Sequence, residues 1–260
     1  MFQIALLASG SKGNSAVIRT RKTKILLDAG LSGKRILSSL AELRLNPQKI
    51  DAVLVSHEHN DHIRGAGIIC RRLQVPLYIS QKTYESCYHK LGKLPAGQVH
   101  FEIGNKFNIK DLEIEPFVSS HDAVDSCNFI FRKHGSTRKL AVATDVGYSS
   151  RLMLMKLRES TTLVLESNHD EKMLLNGEYP WHLKQRIKSK HGHLSNNQAV
   201  GVVSQIVHPE LKNLILAHLS ENNNLPDLAR DTMMNFLKDV KHELNLVIAN
   251  QNKSTSLIDV

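Results

Sequence analysis

The chain has 260 residues, 41% of them hydrophobic and 23% charged, enough to bury a substantial core, and its 34 Lys and Arg against 25 Asp and Glu give a formal charge of +9, which favours an anionic partner without naming one. Its three cysteines (Cys70, Cys87, Cys127) are odd in number and form no CxxC pair, which argues against a disulfide framework and fits a reducing cytosol. Residues 1–8 lack a basic leader, and no apolar run approaches the roughly 20 residues that span a bilayer, so a soluble cytoplasmic protein with no membrane partner is expected.

Short strand-like runs at 4–8, 16–19 and 24–28 are linked by Gly, Ser and Lys turns. Residues 34–45 read as a helix with Ile36, Leu37, Leu40 and Leu43 on one face. The apolar run Ala52-Val53-Leu54-Val55 comes next, then a predicted helix over 61–73 and a strand over 76–80. A strand-rich stretch from 100 to 145 includes 112–119, 128–132 and 140–144, and a further strand covers 161–166. Ser195 can cap a helix whose apolar face is Ala199, Val202, Val203 and Ile206. A strand at 214–217, a helix at 226–240 with Pro near its first turn, and a strand at 244–249 complete the series. No repeat, low-complexity tract or linker interrupts it, so a single domain over 1–260 is expected.

Directly behind the run at 52–55 the chain reads His57-Glu58-His59-Asn60-Asp61-His62. Four candidate metal ligands within six residues are rare in a chance surface loop. Imidazole nitrogens and a carboxylate suit a borderline divalent ion such as Zn²⁺ or Mn²⁺, with Fe²⁺ also accepted. In a tight loop leaving a strand, His57 and His59 can reach one metal, while Asp61 and His62 are placed to serve a second.

The ordered set Asp28, His57-x-His59-x-Asp61-His62, His121, Asp145 and His218 resembles the five motifs of the metallo-β-lactamase superfamily. Taken singly, His121 could be an ordinary strand-end residue and Asp145 the start of a turn; order makes them partners of the loop. The resemblance implies an α/β fold, a four-layer αββα sandwich with a dinuclear metal site at one edge. It implies His57, His59 and His121 on one metal, Asp61, His62 and His218 on the other, Asp145 bridging, and Asp28 orienting a ligand from behind.

Two metals about 3.5–4 Å apart lower the pKa of a water between them and stabilise developing negative charge, which serves lactams, thioesters and phosphodiesters alike. Asp145 is typical of members that hydrolyse phosphodiesters or thioesters, since lactamases usually place another ligand there, and His59 stands where flavodiiron oxidases carry Glu. The segments Leu163-Val164-Leu165-Glu166 and Gly192-His193-Leu194-Ser195 resemble the tRNA 3′-processing branch. That implies His193 as proton donor to the leaving oxygen and Glu166 as its support, with Asp61 counted beside them as catalytic. The duller reading has His193 preceding a helix cap and Glu166 solvating a strand end.

Along its whole length the chain is similar to the bacterial YycJ/WalJ-type subfamily, exonuclease-like enzymes acting on DNA. The resemblance rests on the Ser9-Gly10-Ser11-Lys12-Gly13-Asn14-Ser15 loop, residues 57–67, Glu166-Ser167-Asn168-His169-Asp170, 192–196 and 218–223. Glu221 and Asn222 after Ser220 depart from the tRNA-processing pattern. The expectation is a dinuclear metal-dependent hydrolase of phosphodiester bonds, foremost a DNA exonuclease with nucleic acid as substrate. The alternative is a small-molecule phosphodiester or thioester hydrolase, and a non-catalytic nucleic-acid-binding protein is the third reading. Ser11, Lys12, Asn14 and Ser220 are candidate phosphate-binding residues, although a glycine-rich hairpin explains the 9–15 loop equally well. The basic stretch 181–191, with Trp181, could touch a phosphate backbone or be a solvated helix face. The roles of His169 and Asp170, and the oligomeric state, stay open. Between Asp145 and His218 there is no room for the large insertion of β-CASP nucleases, so open access to the metals is expected.

Overall fold

The segments 52–54, 139–143 and 162–166, largely apolar, are buried along their whole length, which demands cover on both faces of the sheets that hold them. The computed structural model, which describes residues 1–260, supplies that cover with two seven-stranded sheets packed face to face and helices outside each. The first half contains β1 (Phe2–Ala8), β2 (Ser15–Thr20), β3 (Lys24–Leu27), α1 (Gly33–Glu42), β4 (Ala52–Leu54), α2 (Asn60–Ile63), α3 (Ala66–Leu73), β5 (Leu77–Ser80), α4 (Gln81–Leu91) and β6 (Gln98–Phe101). The second contains β7 (Phe107–Ile109), β8 (Leu112–Val118), β9 (Cys127–Lys133), β10 (Lys139–Ala143), α5 (Arg151–Leu157), β11 (Thr162–Glu166), α6 (Glu171–Asn176), α7 (Trp181–Lys188), α8 (Asn196–Ile206), β12 (Asn213–Ala217), α9 (Pro226–Asp239) and β13 (Asn245–Ile248). The last strand, β14 (Ile258–Asp259), returns to the first sheet.

The sheet orders are β14-β1-β2-β3-β4-β5-β6 and β7-β8-β9-β10-β11-β12-β13. In each, the first three pairings are antiparallel and the next three parallel. Phe2, Ile4, Ile18, Phe129, Phe131 and Ile215 fill the space between the sheets. Ile36, Leu40, Ile69 and Cys87 cover the outer face of the first sheet from α1, α3 and α4. Met153, Val202, Val203 and Leu237 cover the second from α5, α8 and α9. The αββα order expected from the sequence is the one observed. The three cysteines are free and buried, and no helix is long and apolar enough to cross a membrane.

The helix expected over 61–73 is instead two, α2 and α3, broken at Arg64-Gly65. Gly65 donates its N–H to Ala29 O at 2.7 Å, and a Cβ there would sit 2.2 Å from Leu31 O, so the chains cross too closely for a continuous helix. The helix expected over 34–45 stops at Glu42, because Arg44 takes a left-handed conformation (φ 55°). The cap at Ser195 is a full capping box with Gln198. Helices α4 to α7 had no counterpart among the predicted elements, apart from the helical alternative for 181–191.

Candidate metal centre

The parallel strands end at one edge of the sandwich, and the chemistry-bearing residues gather there. His59 keeps an extended backbone and starts the short helix α2, so the chain changes direction inside the His-rich loop. His57 and His59 lie before that change, with ring centroids 4.7 Å apart, and Asp61 and His62 lie after it. Glu58 turns away and accepts the Val124 N–H at 2.8 Å. The loop is stitched to the segments before β2 and after β3, with Asn14 N–H donating to Asp61 O (2.7 Å) and Ala29 N–H to His62 O (2.8 Å), and those two segments are joined by Gly30 N–H to Asn14 O (2.9 Å). A Cβ on Gly30 would fall 1.5 Å from Asp61 O, so only glycine permits this approach.

His121, Asp145 and His218 follow β8, β10 and β12 and complete the cluster. Asp28, Asp145 and His218 all adopt left-handed backbone conformations, with φ of 55°, 55° and 57°. Candidate ligand atoms fall into overlapping groups within 4.8 Å: His57, His59 and His121; Asp61, His62 and His218; and His57, His62 and Asp145. Asp145 is common ground, with Oδ1 3.7 Å from His121 Nε2 and 3.6 Å from His218 Nε2, and Oδ2 3.3 Å from His62 Nε2.

Hydrogen-bond partners behind each ring fix which nitrogen faces the cluster. His62 Nδ1 lies 2.8 Å from Asp28 Oδ2, and His218 Nδ1 lies 2.7 Å from Glu166 Oε1. His121 Nδ1 faces Gly192 O at 3.3 Å. Carboxylates and carbonyls only accept, so in the neutral rings Nδ1 carries the proton and Nε2 keeps its lone pair. Ser56 Oγ extends the logic. It donates to Asp28 Oδ2 (2.9 Å) and can then accept from His57 Nδ1 (2.9 Å). His57 Nε2 and His218 Nε2 are buried without any hydrogen-bond partner, as a lone pair awaiting a cation requires.

Charge gives the same answer. The only ionisable bases within 4.0 Å of Asp28, Asp61, Asp145 and Glu166 are imidazoles, never Lys or Arg. Burial works against charge on His62 and His218, yet Asp28 and Asp145 for the one, and Asp145, Asp61 and Glu166 for the other, hold both pKa values well above the ordinary range. Burial, reinforced by His62, pushes His57 well below it. A divalent cation answers the carboxylates' demand for positive charge and competes with those protons for the same nitrogens. The donor set therefore fits divalent metal ions.

Glu166, fully buried at the end of β11, is the hub of the second sheet's contribution. Its Oε1 lies 2.8 Å from His193 Nδ1 as well as 2.7 Å from His218 Nδ1. Its Oε2 accepts the N–H groups of Val146 (3.0 Å) and Leu194 (2.9 Å). Burial alone would raise its pKa, but the charge and hydrogen bonds of His193 and His218 outweigh it and bring the carboxyl down to about 2. His193 is half-buried, its ring centroid 5.0 Å from that of His218 and 5.2 Å from that of His121.

Other candidates fare differently. Ser11 and Lys12 are exposed, and Lys12 Nζ pairs with Glu221 at 2.5 Å. Asn14 points inward, with Nδ2 3.2 Å from Asp61 Oδ2 and 3.1 Å from His62 Nε2 and Oδ1 accepting the Gly10 N–H, so it braces the loop at the edge of the cluster. Ser220 is buried, and its Oγ accepts the Asn223 N–H, which closes the turn after His218. Arg186 of α7 is paired with Asp122 at 2.6 Å, next to His121. His169 is buried, its pKa drawn down to about 4 by burial.

Sequence reasoning missed several supports. Ser56 links Asp28 to two imidazoles. Ser9 Oγ accepts the His218 N–H at 2.8 Å. Asn196 and Asn224 exchange side-chain amide bonds at 2.9 Å, and Asn224 also donates to Ser167 O, while Asn168 holds His218 O. The Gly192–Asn196 and Glu166–Asp170 segments thus share one buried amide network behind the cluster. Its signal was limited to Asn recurring at 168, 196, 223 and 224.

The sequence model of the beta-lactamase superfamily domain matches residues 23–218. The chain is 39% identical over 236 residues to the protein named exodeoxyribonuclease YycJ of Bacillus anthracis, covering 90% of this chain and 89% of that one. It is 41% identical over 239 residues to the protein named exodeoxyribonuclease WalJ of Streptococcus pneumoniae, covering 91% and 88%. The solved metallo-β-lactamase-fold protein YhfI of Bacillus subtilis superposes with a TM-score of 0.74 at 15% identity, over 98% of this chain and 99% of that one. Motif order, fold and relatives agree, and the chain belongs to the metallo-β-lactamase superfamily.

Proposed function

We propose that the chain is a phosphodiesterase that removes nucleotides from the ends of DNA, using two divalent ions held by His57, His59, Asp61, His62, His121, Asp145 and His218. Membership of the superfamily together with relatives named exodeoxyribonucleases supports a metal-dependent hydrolase. The preference for DNA draws on the two relatives named exodeoxyribonucleases. Zn²⁺ or Mn²⁺ suits the His/Asp donor set best, and Fe²⁺ fits it as well.

The observation that carries the reading is the Glu166–His193 pair, 2.8 Å apart and beside Asp145 and His218. When bound, the metal ions polarise the scissile phosphate and lower the pKa of an attacking water. Glu166 accepts a hydrogen bond from His193 Nδ1–H, which stays on the ring, and the protonated ring so held passes its Nε2 proton to the departing alkoxide oxygen. The His193 side chain keeps 18% of its surface exposed, so substrate can reach it, while Glu166 is sealed from solvent. Glu166 also orients His218, so one carboxylate aligns the proton donor with a metal-binding ring. Lys12 and Ser11 are left as surface contacts for phosphate.

The leaving group provides the test. An alkoxide needs the proton and a nitrophenolate does not. His193→Ala should therefore slow DNA hydrolysis by about 10²–10⁴-fold, retain its metals, and lose far less on an aryl phosphodiester. An equal loss on both substrates would remove His193 from the proton-donor role.

A further inference from the structure

The edge of the sandwich away from the metal centre is formed by the opposite ends of the same strands: the β2–β3 turn, the residues before β4, the β7–β8 turn and the end of β9. Two adjoining concavities of about 310 and 520 Å³ open there and share Arg21, Lys22 and Lys110. Arg19, Lys24 and Lys49 line the first, and Lys133 with His134 lines the second. Only two carboxylates enter this surface, and both are engaged. Asp51 accepts the Lys24 N–H at 2.7 Å and pairs with Lys110 at 2.5 Å. Asp111 Oδ1 accepts the hydroxyls of Thr20 and Thr23, both at 2.6 Å.

The remaining cations, Arg19, Arg21, Lys22, Lys24, Lys49 and Lys133, have no carboxylate oxygen within 4.0 Å. They crowd one another: burial, then Arg19 and Lys49, lower the pKa of Lys24. A polyanion relieves that repulsion. The walls contain no Phe, Tyr or Trp side chain for unstacked bases, and Met1 is the single hydrophobic residue, which leaves nothing to insert into a membrane.

We infer that this edge is a second nucleic-acid surface, binding the phosphate backbone of duplex DNA without regard to base sequence. The choice of DNA among polyanions rests on the proposed function. The seven residues of β8 separate Asp111 from the loop that carries His121, which at about 3.4 Å per residue is roughly 24 Å. A fragment shorter than about seven base pairs, at 3.4 Å each, cannot touch both places. The surface therefore tethers long substrates and is indifferent to short ones.

A covalently closed circular duplex offers no ends to an exonuclease, so its retention reports surface binding rather than turnover. With the metal-loaded full chain, Arg21→Glu/Lys22→Glu/Lys49→Glu should weaken that binding about tenfold or more at low salt. The slope of log affinity against log salt should fall by about 3, near one per lost phosphate contact. Turnover of an aryl phosphodiester should be unchanged. The triple Gln variant, which removes charge without reversing it, should lose slope by the same amount and decides the matter if the Glu variant folds poorly. Affinity and slope equal to wild type would overturn the inference. So would binding to phosphatidylserine vesicles in place of the circle. Sensitive circle binding in a chain that cleaves no phosphodiester would sink the proposed function and leave this surface standing; cleavage with insensitive binding would do the reverse.

Discussion

The two sheets repeat one order of strand directions, yet they equip the site differently. The first contributes His57, His59, Asp61 and His62 from a single loop after β4. The second contributes His121, Asp145 and His218 singly, from three strand ends, together with Glu166 and His193. Each half has a buried carboxylate that aims imidazoles. Asp28 serves Ser56 and one ring, His62. Glu166 serves two rings and the backbone of two separate loops. A contiguous loop carries much of its own geometry, whereas dispersed residues need a common hub. The second half should be the more fragile.

Asp145 lies within 4.0 Å of a ring from each candidate group, His121 and His218, and its replacement is the severest test. Asp145→Asn should lose bound metal and cut DNA turnover by about 10⁴-fold or more, read by metal analysis and initial rates. A variant that keeps two metals per chain would break the bridging assignment. Glu166→Gln comes next. An amide cannot accept from two imidazoles and two peptide N–H groups at once, so a loss of about 100-fold in metal affinity or rate is expected. Its carboxyl, ordinarily near 4.5, is held at about 2. Ionised Glu166 therefore stabilises the fold fully above about pH 4.5, and that contribution vanishes as the pH falls toward 2. Melting temperature against pH should be flatter over that window in the Gln variant; identical slopes would exclude this linkage.

Asp28→Asn should cost less, about tenfold in metal affinity, because Ser56 and Asn14 still hold the loop. If it equals Glu166→Gln, the asymmetry between the halves is wrong. The smallest effect belongs to the amide network. Asn224→Ala should destabilise by about 1–3 kcal/mol and lower Tm by several degrees, while the folded fraction keeps its specific activity.

The same contrast governs what the sequence could reveal. Residues 57–62 were legible as candidate ligands because they are adjacent in the chain and follow a buried strand. His121, Asp145 and His218 were legible only as an ordered set, since each alone looks like a strand end or a turn. Ser56, Ser9 and the amides at 168, 196 and 224 were not legible, because tertiary contact alone gives a common polar side chain its role. The inward set of Asn14 was hidden for a related reason: its partners Asp61 and His62 lie 47 and 48 residues further along the chain. The break at Gly65 was hidden because the crossing segment at 29–31 lies more than 30 residues earlier. The alternation of strands and helices was plain because short apolar runs and helical periodicity are local signals, whereas the αββα layering came only from the family resemblance.

The left-handed backbone at Asp28, Asp145 and His218 works against folding, at about 1–2 kcal/mol for each non-glycine residue so held. A population of variants chosen only for heat resistance would therefore drift toward glycine at these three places and grow hardier as it lost its chemistry. Toughness and competence pull in opposite directions at the centre of this protein, and any campaign to make it more robust must begin by leaving those three positions untouched.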